Sequence, residues 1–309
     1  MSSNSKVKVA VIQGSPIFLD REHTLESVAE LTAEAALNGA RLVLFPETFV
    51  SAYPDWVWSL PPAQKDQINA LYTELLESSV SIPDDATKQL GEIAHESGVY
   101  LAIGVNERNT ESSNASLYNT LLYFDPTGKL LGKHRKLIPT GGERLMWAPG
   151  DGDTLVSFET ELGRVGGLIC WENFMPLPRV AMYQAGVQIY LAPTWDSSPS
   201  WLTAMKHIAR EGGMFVLSCC QAIKVSDVPD RYEFKNLYAE GREWVNQGNS
   251  CIVNPKGEII AGPLEAEQGM LYADLDLAEI PAQKWMLDVA GHYSRPDVFE
   301  FSVKRPGRS

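Results

Sequence analysis

The chain has little cysteine for its length, with four residues in 309, and no two of them form a Cys-x-x-Cys pair. Disulfide frameworks and structural zinc sites are built from denser or regularly spaced cysteines. Cys219 and Cys220 are adjacent within an apolar run, and Cys251 also lies in an apolar segment. We therefore expect a reduced chain of the cytoplasm that needs no metal or other cofactor, with these three cysteines buried and inert.

Positive charge is also scarce. Lys and Arg total 26 against 39 Asp and Glu, which gives a formal net charge of -13. Phosphate backbones and anionic membrane surfaces repel such a chain, so we expect neither nucleic acid nor membrane as a partner. The sequence also lacks an apolar run long enough to cross a bilayer, and its first residues lack the apolar stretch of a signal peptide. A hydrophobic fraction of 44% is enough to form a large core.

The apolar residues that are present follow an alternation of strands and helices. The patterns predict a strand over residues 6–12, a helix over 22–37 and a strand over 40–45. A second helix that ends at Gly98 precedes a strand over 99–105. A strand, a helix and a further strand in succession predict a parallel pair with a right-handed crossover, and hence an α/β fold.

Two predicted hairpins follow such β-α units. One joins 117–124 to 129–133 through an Asp-Pro-Thr-Gly turn, and the other joins 251–253 to 258–261 through Asn-Pro-Lys-Gly. Between them the patterns predict strands at 165–169, 187–192 and 214–220 and helices at 177–185 and 200–210. This partial repetition suggests two similar halves within one catalytic domain, residues 1–280. Residues 281–309 form a predicted tail, rich in Pro, Arg and aromatics, that wraps the domain or contacts a partner chain.

Three chemically useful side chains follow apolar strands. Glu47 follows 42–46, Lys136 follows the second strand of the first hairpin, and Cys170 ends the strand at 165–169. A carboxylate, an ammonium and a thiol that meet at strand ends can serve as base, cation and nucleophile. Each also has a plainer interpretation, namely a helix-capping carboxylate, a solvated lysine and a small core residue.

The segments around these residues resemble the signature segments of a known family. Phe45–Glu47, Lys133–Leu137 and Ile169–Asn173 resemble, in order, the three signatures of the nitrilase superfamily, and the resemblance runs from about Val7 to Leu277. Finer features resemble its nitrilase branch rather than its amidase branches: Pro139–Arg144, Cys170–Asn173, Ala192–Asp196 and Gly291–Asp297. One departure is Ala148, where the family pattern has glycine, and it affects the expected shape of one loop.

The resemblance implies a four-layer α-β-β-α sandwich and a nitrilase that converts an organic nitrile and water to a carboxylic acid and ammonia. It implies Cys170 as nucleophile, Glu47 as base, Lys136 as electrostatic stabiliser and Glu143 as a supporting carboxylate. The covalent intermediates would be a thioimidate and then a thioester. We expect Lys136 and a helix amino end to favour the Cys170 thiolate, and burial to raise the pKa of Glu47. The family also implies a homodimer or a larger spiral homo-oligomer.

Four aromatic residues are candidates for the substrate pocket because each lies shortly after a catalytic residue or a strand end. They are Tyr53, Trp58, Trp171 and Trp195. Their alternative role is core packing. Two histidines are given structural roles, with His134 inside the fold and His207 paired with Glu211 on a helix surface.

Other functions share this residue pattern. An amidase, an N-carbamoyl amino-acid hydrolase and a cyanide dihydratase would all use the same Cys, Glu and Lys. A carbamoyl hydrolase would also need a cation to hold an amino-acid carboxylate, and the sequence does not place one. A more distant alternative is a non-catalytic filament or interaction protein that uses the aromatic tail.

Overall fold

The computed structural model describes residues 6–305 and alternates strands with helices over most of that range. The helices are α1 Arg21–Leu37, α2 Lys65–Glu77, α3 Asp85–Ser97, α4 Pro176–Gln184, α5 Pro199–Gly212 and α6 Glu279–Lys284. None of these helices has the length and hydropathy that crossing a bilayer requires. The strands are β1 Lys6–Gln13, β2 Leu42–Leu44, β3 Tyr100–Arg108, β4 Leu117–Phe124, β5 Leu130–Arg135, β6 Ser157–Thr160, β7 Gly163–Gly167, β8 Ile189–Thr194, β9 Phe215–Cys220, β10 Ala222–Lys224, β11 Trp244–Val253, β12 Ile259–Glu265 and β13 Gly269–Asp276.

The strands form two sheets with related connectivity. The first has the order β13-β1-β2-β3-β4-β5, and the second has the order β10-β11-β9-β8-β7-β6 with β12 paired to β11. β1, β2 and β3 are parallel, as are β7, β8 and β9, and a helix lies between consecutive members along the chain. Each trio is followed by an antiparallel hairpin, β4-β5 or β11-β12. The two halves suggested by the sequence are therefore present in the topology.

The two sheets pack face to face, and alternate side chains of a strand belong to two different clusters, one between the sheets and one on the outer face. Val9 and Val11 of β1 belong to a buried cluster that includes Ile189 and Leu191 of β8, in the other sheet. The intervening Ala10 belongs to a different cluster, on the opposite face of the first sheet. Successive side chains of a strand point to opposite faces, so apolar residues at every position indicate a strand covered on both sides.

Helices cover the two outer faces. Leu25 and Val28 of α1 and Leu90 of α3 pack on the first sheet. Met182 of α4 and Met205 of α5 pack on the second. The layers therefore run α-β-β-α, and the fold predicted from the resemblance is confirmed.

The ends of α3 follow from local chemistry. The Asp84 side chain accepts a hydrogen bond from the backbone N–H of Thr87, and the Thr87 hydroxyl oxygen accepts one from the backbone N–H of Asp84, which forms a capping box. Gly98 ends the helix at φ 65, in the left-handed region that glycine adopts without steric cost. Helix α3 therefore ends at Gly98, as the sequence predicts.

The tail partly covers its own domain. Val303 packs against the cluster beneath α4 and α5, and Arg305 donates a hydrogen bond to the Leu155 carbonyl at 3.3 Å. Trp285 and Phe299 lie between α6 and the contacts made by Val303 and Arg305, and they are 73% and 72% exposed. Residues 306–309 of the predicted tail lie outside the described residues. The tail therefore wraps the domain while it leaves large aromatic side chains in solvent.

Candidate active site

Strand direction brings the candidate residues to one edge of the two sheets. Glu47 follows β2 and Lys136 follows β5. β5 runs parallel to β2 and β3, because two antiparallel pairings, through β4, separate it from β3. Cys170 follows β7 in the other sheet, and its thiol is close enough for Glu47, Lys136 and Glu143 all to act on its charge state. The three predicted catalytic residues and the supporting carboxylate thus form one site.

Lys136 is the centre of a buried charge network. Its Nζ lies 2.8 Å from Oε1 of Glu47 and 2.7 Å from Oε2 of Glu143, and each of the three residues is 1% exposed. Burial disfavours the ammonium, but the nearby carboxylates outweigh burial and raise the pKa of Lys136 above its ordinary value. Lys136 is therefore a fixed cation rather than a proton donor.

The two carboxylate oxygens of Glu47 have different surroundings. Oε1 accepts hydrogen bonds from Lys136 and, at 2.6 Å, from Nδ2 of Asn119. Oε2 has no hydrogen-bond partner among residues 6–305 although it is buried. Burial raises the pKa of Glu47 and the charge of Glu143 adds to that effect, while Lys136 opposes it. This carboxylate is held in place through one oxygen and can accept a proton on the other.

Glu143 is held by residues that the sequence placed in different roles. Its Oε1 accepts a hydrogen bond from the Tyr53 hydroxyl at 2.7 Å, and its Oε2 accepts one from the backbone N–H of Thr140 at 2.6 Å. Tyr53 was predicted as a pocket residue, and it also orients this carboxylate. Glu143 in turn fixes Lys136, so the cation lies between two carboxylates.

Cys170 lies at a sharp turn between β7 and a short 3₁₀ helix, Cys170–Phe174. Its φ of 51 is in the left-handed region, which is uncommon for a residue with a Cβ and is typical of strained functional turns. The Thr194 hydroxyl donates a hydrogen bond to the sulfur at 3.2 Å. The residue is 4% exposed.

Lys136 favours the Cys170 thiolate as expected, but other effects at the site outweigh it. Burial and the charge of Glu47 raise the pKa of Cys170, Glu143 adds to this effect, and Lys136 and Thr194 oppose it. A buried sulfur that faces two carboxylates and one ammonium favours the neutral thiol. The proton must therefore leave as the sulfur attacks, which gives the neighbouring carboxylate a direct role.

A buried ion pair links the Lys136 and Cys170 loops, and only one of its two members was identified from the sequence. Glu172 accepts hydrogen bonds from the backbone N–H groups of Leu137 at 2.6 Å and Ile169 at 2.8 Å. It also pairs with Nε2 of His134 at 2.9 Å, and neither side chain is exposed. The structural role predicted for His134 agrees with this position. Glu172 was missed, although it lies within the same signature segment as Cys170.

A cavity of about 610 Å³ opens beside the site. All four predicted pocket aromatics line it: Tyr53, Trp58, Trp171 and Trp195. The Tyr53 and Trp195 rings stack, with centroids 4.3 Å apart and planes at 5°. Cys170 and Glu143 also line the cavity, whereas Glu47 and Lys136 are not part of its wall. The rest of the wall was not predicted from the sequence. It includes Asp196, at the end of the Ala192–Asp196 segment, together with Asp55 and several residues between 237 and 247, which lie outside the signature segments.

The remaining candidate groups lie elsewhere. Cys219, Cys220 and Cys251 are free thiols that are at most 1% exposed. His207 and Glu211 are 3.6 Å apart on α5, with the histidine exposed. Within residues 6–305, no group of three or more His, Cys, Asp and Glu side chains is arranged to hold a metal ion.

Comparison with known proteins agrees with this geometry. Residues 8–284 match the family model described as carbon-nitrogen hydrolase. The chain is 42% identical to an aliphatic nitrilase of Sinorhizobium fredii (strain HH103), over 99% of this chain and 98% of that protein. It is 40% identical to nitrilase 2 of Arabidopsis thaliana, over 98% of this chain and 90% of that protein.

A solved structure supports the fold. Saccharomyces cerevisiae Nit3, a member of branch 10 of the nitrilase superfamily, superposes with a TM-score of 0.72 and 20% identity, covering 95% of this chain and 99% of that one. The predictions of the superfamily, and of an enzyme of the nitrilase type, are confirmed by these relatives together. The chain belongs to the carbon-nitrogen hydrolase family, in the nitrilase branch of the superfamily.

Proposed function

We propose that this nitrilase converts an organic nitrile and two waters to a carboxylic acid and ammonia through covalent intermediates on Cys170. The observation that carries the mechanism is the asymmetry of Glu47. Oε1 is held by Lys136 and Asn119, while the buried Oε2 has no partner within residues 6–305. A base needs one such open oxygen within a fixed frame.

In the first half of the reaction, Oε2 of Glu47 takes the thiol proton as the sulfur bonds to the nitrile carbon. The proton passes to the nitrile nitrogen, which leaves a neutral thioimidate. Lys136 stabilises the negative charge that develops on that nitrogen. Its raised pKa keeps it charged throughout, so its contribution is electrostatic.

In the second half, Glu47 takes a proton from water as the hydroxyl adds to the thioimidate carbon. Glu47 passes that proton to the nitrogen, which gives a tetrahedral intermediate with one hydroxyl and one amino group. The carbon–nitrogen bond then breaks as the carbonyl forms, the hydroxyl proton moves through Glu47 to the departing amino group, and ammonia leaves a thioester on Cys170. A second water, activated in the same way, releases the carboxylic acid and returns the proton to the Cys170 sulfur. Glu143 accepts a hydrogen bond from Lys136 throughout, and so holds the ammonium in position beside Glu47.

The test is product analysis on a matched panel of an aromatic, an aryl-aliphatic and an aliphatic nitrile, cyanide, and the corresponding amides. We expect ammonia and carboxylic acid in equal amounts from at least one organic nitrile, and none from the Cys170→Ala protein. Ammonia from amides alone would indicate an amidase, and ammonia from cyanide alone a cyanide dihydratase. Release of no ammonia from any compound in the panel would favour the non-catalytic alternative.

The non-catalytic alternative has a physical argument against it. Three ionisable side chains, Glu47, Lys136 and Glu143, are each 1% exposed. Burying charged groups costs free energy, and titratable groups with strongly perturbed surroundings cluster at functional sites. The buried network and the open oxygen on Glu47 together favour an enzyme.

We further propose that residues 1–280 form one catalytic domain and that the tail, residues 281–309, mediates a homodimer or a larger spiral homo-oligomer. Exposed apolar side chains in the tail support this, notably Trp285 and Phe299. Replacing both with serine should reduce the particle mass measured by light scattering. The control is Leu37→Ser, at an 89% exposed site on α1. An unchanged mass would contradict the proposed contact.

A cytoplasmic location is also part of the proposal. All four cysteines are free and buried, which suits a reducing compartment. Fractionation of the source cells, followed by immunodetection, tests this location. Recovery of the protein outside the cytoplasmic fraction would contradict it.

A further inference from the structure

The wall of the active-site cavity carries charges that the catalytic network does not use. Asp55, Asp196 and Arg242 line the cavity together with Cys170. None of the three lies within 4.0 Å of an oppositely charged group among residues 6–305, whereas Glu143 is paired with Lys136. The surplus charge on this wall is therefore negative, with two carboxylates against one guanidinium.

Asp55 is the unusual member because it is only 8% exposed. Its Oδ2 accepts a hydrogen bond from the Tyr238 hydroxyl at 2.8 Å. Burial raises the pKa of Asp55, while Tyr238 and the charge of Arg242 partly oppose that effect. A buried carboxyl group without a contacting cation is stabilised either by keeping its proton or by a ligand that brings a positive charge.

The other two charges are already engaged by the protein. Asp196 accepts hydrogen bonds from Nε1 of Trp171 at 2.8 Å and from the backbone N–H of Ser198 at 2.8 Å. Arg242 is exposed to solvent, and its guanidinium donates hydrogen bonds to the backbone carbonyls of Trp244 and Val245. Solvent screens an exposed charge more than a buried one, so Asp55 exerts the stronger selection on a ligand.

The surroundings of Asp55 match what an ammonium group binds. The carboxylate supplies charge-assisted hydrogen bonds, and aromatic faces attract cations. Tyr238 and Trp195 both line the cavity, and both side chains act on the Asp55 carboxylate. The Arg242 guanidinium already lies over the Tyr238 ring, 5.1 Å from its centroid, so Tyr238 contributes by holding Asp55 and the carboxylate itself contacts the ammonium. The net charge of -13 further raises the local concentration of cationic ligands.

We propose that Asp55 and Tyr238 form a subsite for an ammonium group at the far end of the substrate, so that the preferred substrates are amine-bearing alkyl nitriles. This inference rests on the proposed nitrile hydrolysis. It names the part of the cavity that selects the substrate, and it assigns Asp55 the role of the specificity-determining residue.

The test compares three alkyl nitriles of equal chain length that end in an ammonium, a hydroxyl or a methyl group, together with one that ends in a carboxylate. The value of kcat/KM is measured for each with the full-length protein and with Asp55→Asn. Asparagine keeps the size and the acceptor for Tyr238 but removes the charge. Asp66→Asn, at an exposed position on α2, is the control for the same change in net charge.

We expect kcat/KM for the ammonium compound to exceed that for the methyl compound, and Asp55→Asn to lower this ratio about ten- to a hundredfold. The loss should appear mainly in KM, and a urea unfolding curve that matches that of the parent protein shows that Asp55→Asn folds. Asp66→Asn should leave the ratio unchanged.

Two results would overturn the subsite. One is turnover of the methyl compound with no preference for the ammonium compound and no change of the ratio in Asp55→Asn. The other is a preference for the carboxylate compound that disappears in Arg242→Gln, which would assign the selection to Arg242. Failure of the parent protein on every nitrile would instead contradict the proposed function itself.

Discussion

The ammonium of Lys136 lies 2.8 Å from Oε1 of Glu47, and this contact leaves Oε2 of the same carboxylate without a partner within residues 6–305. The cation thereby has two effects. It fixes the base in one orientation, and it opposes the rise that burial causes in the pKa of Glu47. A base that is held on one side and open on the other can serve both the thiol and the hydrolytic water.

Replacing the nucleophile should separate chemistry from folding. Cys170→Ala should lower kcat by ~10⁴-fold or more, because no other group can form the covalent intermediates. The change removes one sulfur atom, so the free energy of unfolding should fall by only about 1 kcal/mol. Ammonia release and urea unfolding measure the two quantities. Residual activity of more than a few per cent in pure protein would contradict the assignment.

The pH profile should show the coupling between the two carboxylates of the site. Glu47 must be ionised to accept a proton, so activity should fall as pH falls through its raised pKa. Glu143→Gln removes a negative charge that raises this pKa, so the acid limb of kcat/KM should move to lower pH. The value of kcat should also fall about ten- to a thousandfold, because Lys136 loses one of its two partners. An acid limb that stays in place would show that Glu47 does not control it.

Alkylation should distinguish the four thiols. Burial raises the pKa of Cys170, Cys219, Cys220 and Cys251, so none should react rapidly at neutral pH. Of the four, Cys170 alone lines the cavity, so iodoacetamide should label it first. Peptide mass mapping at substoichiometric reagent measures the order. Equal labelling of all four would argue against an open path to the nucleophile.

The ion pair of His134 and Glu172 should make stability depend on pH. Burial opposes the charged imidazole, but Glu172 outweighs it and raises the pKa of His134. The resulting stabilisation is complete below about pH 6.5, the ordinary pKa of histidine, and is lost as pH rises through the higher folded-state pKa. His134→Gln should lower the free energy of unfolding by about 3 kcal/mol at pH 6, and by less at higher pH.

The control for that experiment is His23→Gln, since His23 pairs with Asp20 on the surface at 2.7 Å. That pair is exposed, so its loss should change stability little. Urea unfolding of the parent and both variants across pH measures the effect. A His134→Gln difference that grows with rising pH would contradict the charged pair.

One glycine should control the position of the catalytic base. A Cβ on Gly104 of β3 would lie 2.3 Å from the Pro46 carbonyl and 2.4 Å from the Thr48 backbone nitrogen, on either side of Glu47. Gly104→Ala should therefore displace this turn and lower kcat at least about tenfold. Gly269→Ala, where the nearest atom would be 3.4 Å away, is the control. Equal activity in both variants would show that the turn tolerates the displacement.

Much of the fold could be predicted from local patterns. The helix over 22–37 matches α1 to within one residue, because apolar periodicity is a local signal. The strand over 99–105 begins within one residue of β3, next to the stop at Gly98, but ends three residues before β3 does. Helix α2 was not predicted. It contributes Leu71 and Leu75 to a cluster beside the cavity, and these are its only buried residues, so the apolar signal in its sequence is short.

The ordered segments around Glu47, Lys136 and Cys170 were enough to predict the family and its candidate reactive groups, and the alternating strands and helices were enough to predict an α/β scaffold. The surroundings of these groups could be read only from the folded chain. Burial and the carboxylates of Glu47 and Glu143 raise the pKa of Cys170, and Glu172 connects the loops that carry Lys136 and Cys170. These effects depend on distances and on exclusion of water, and residues far apart in the chain acquire both only when the two sheets pack together.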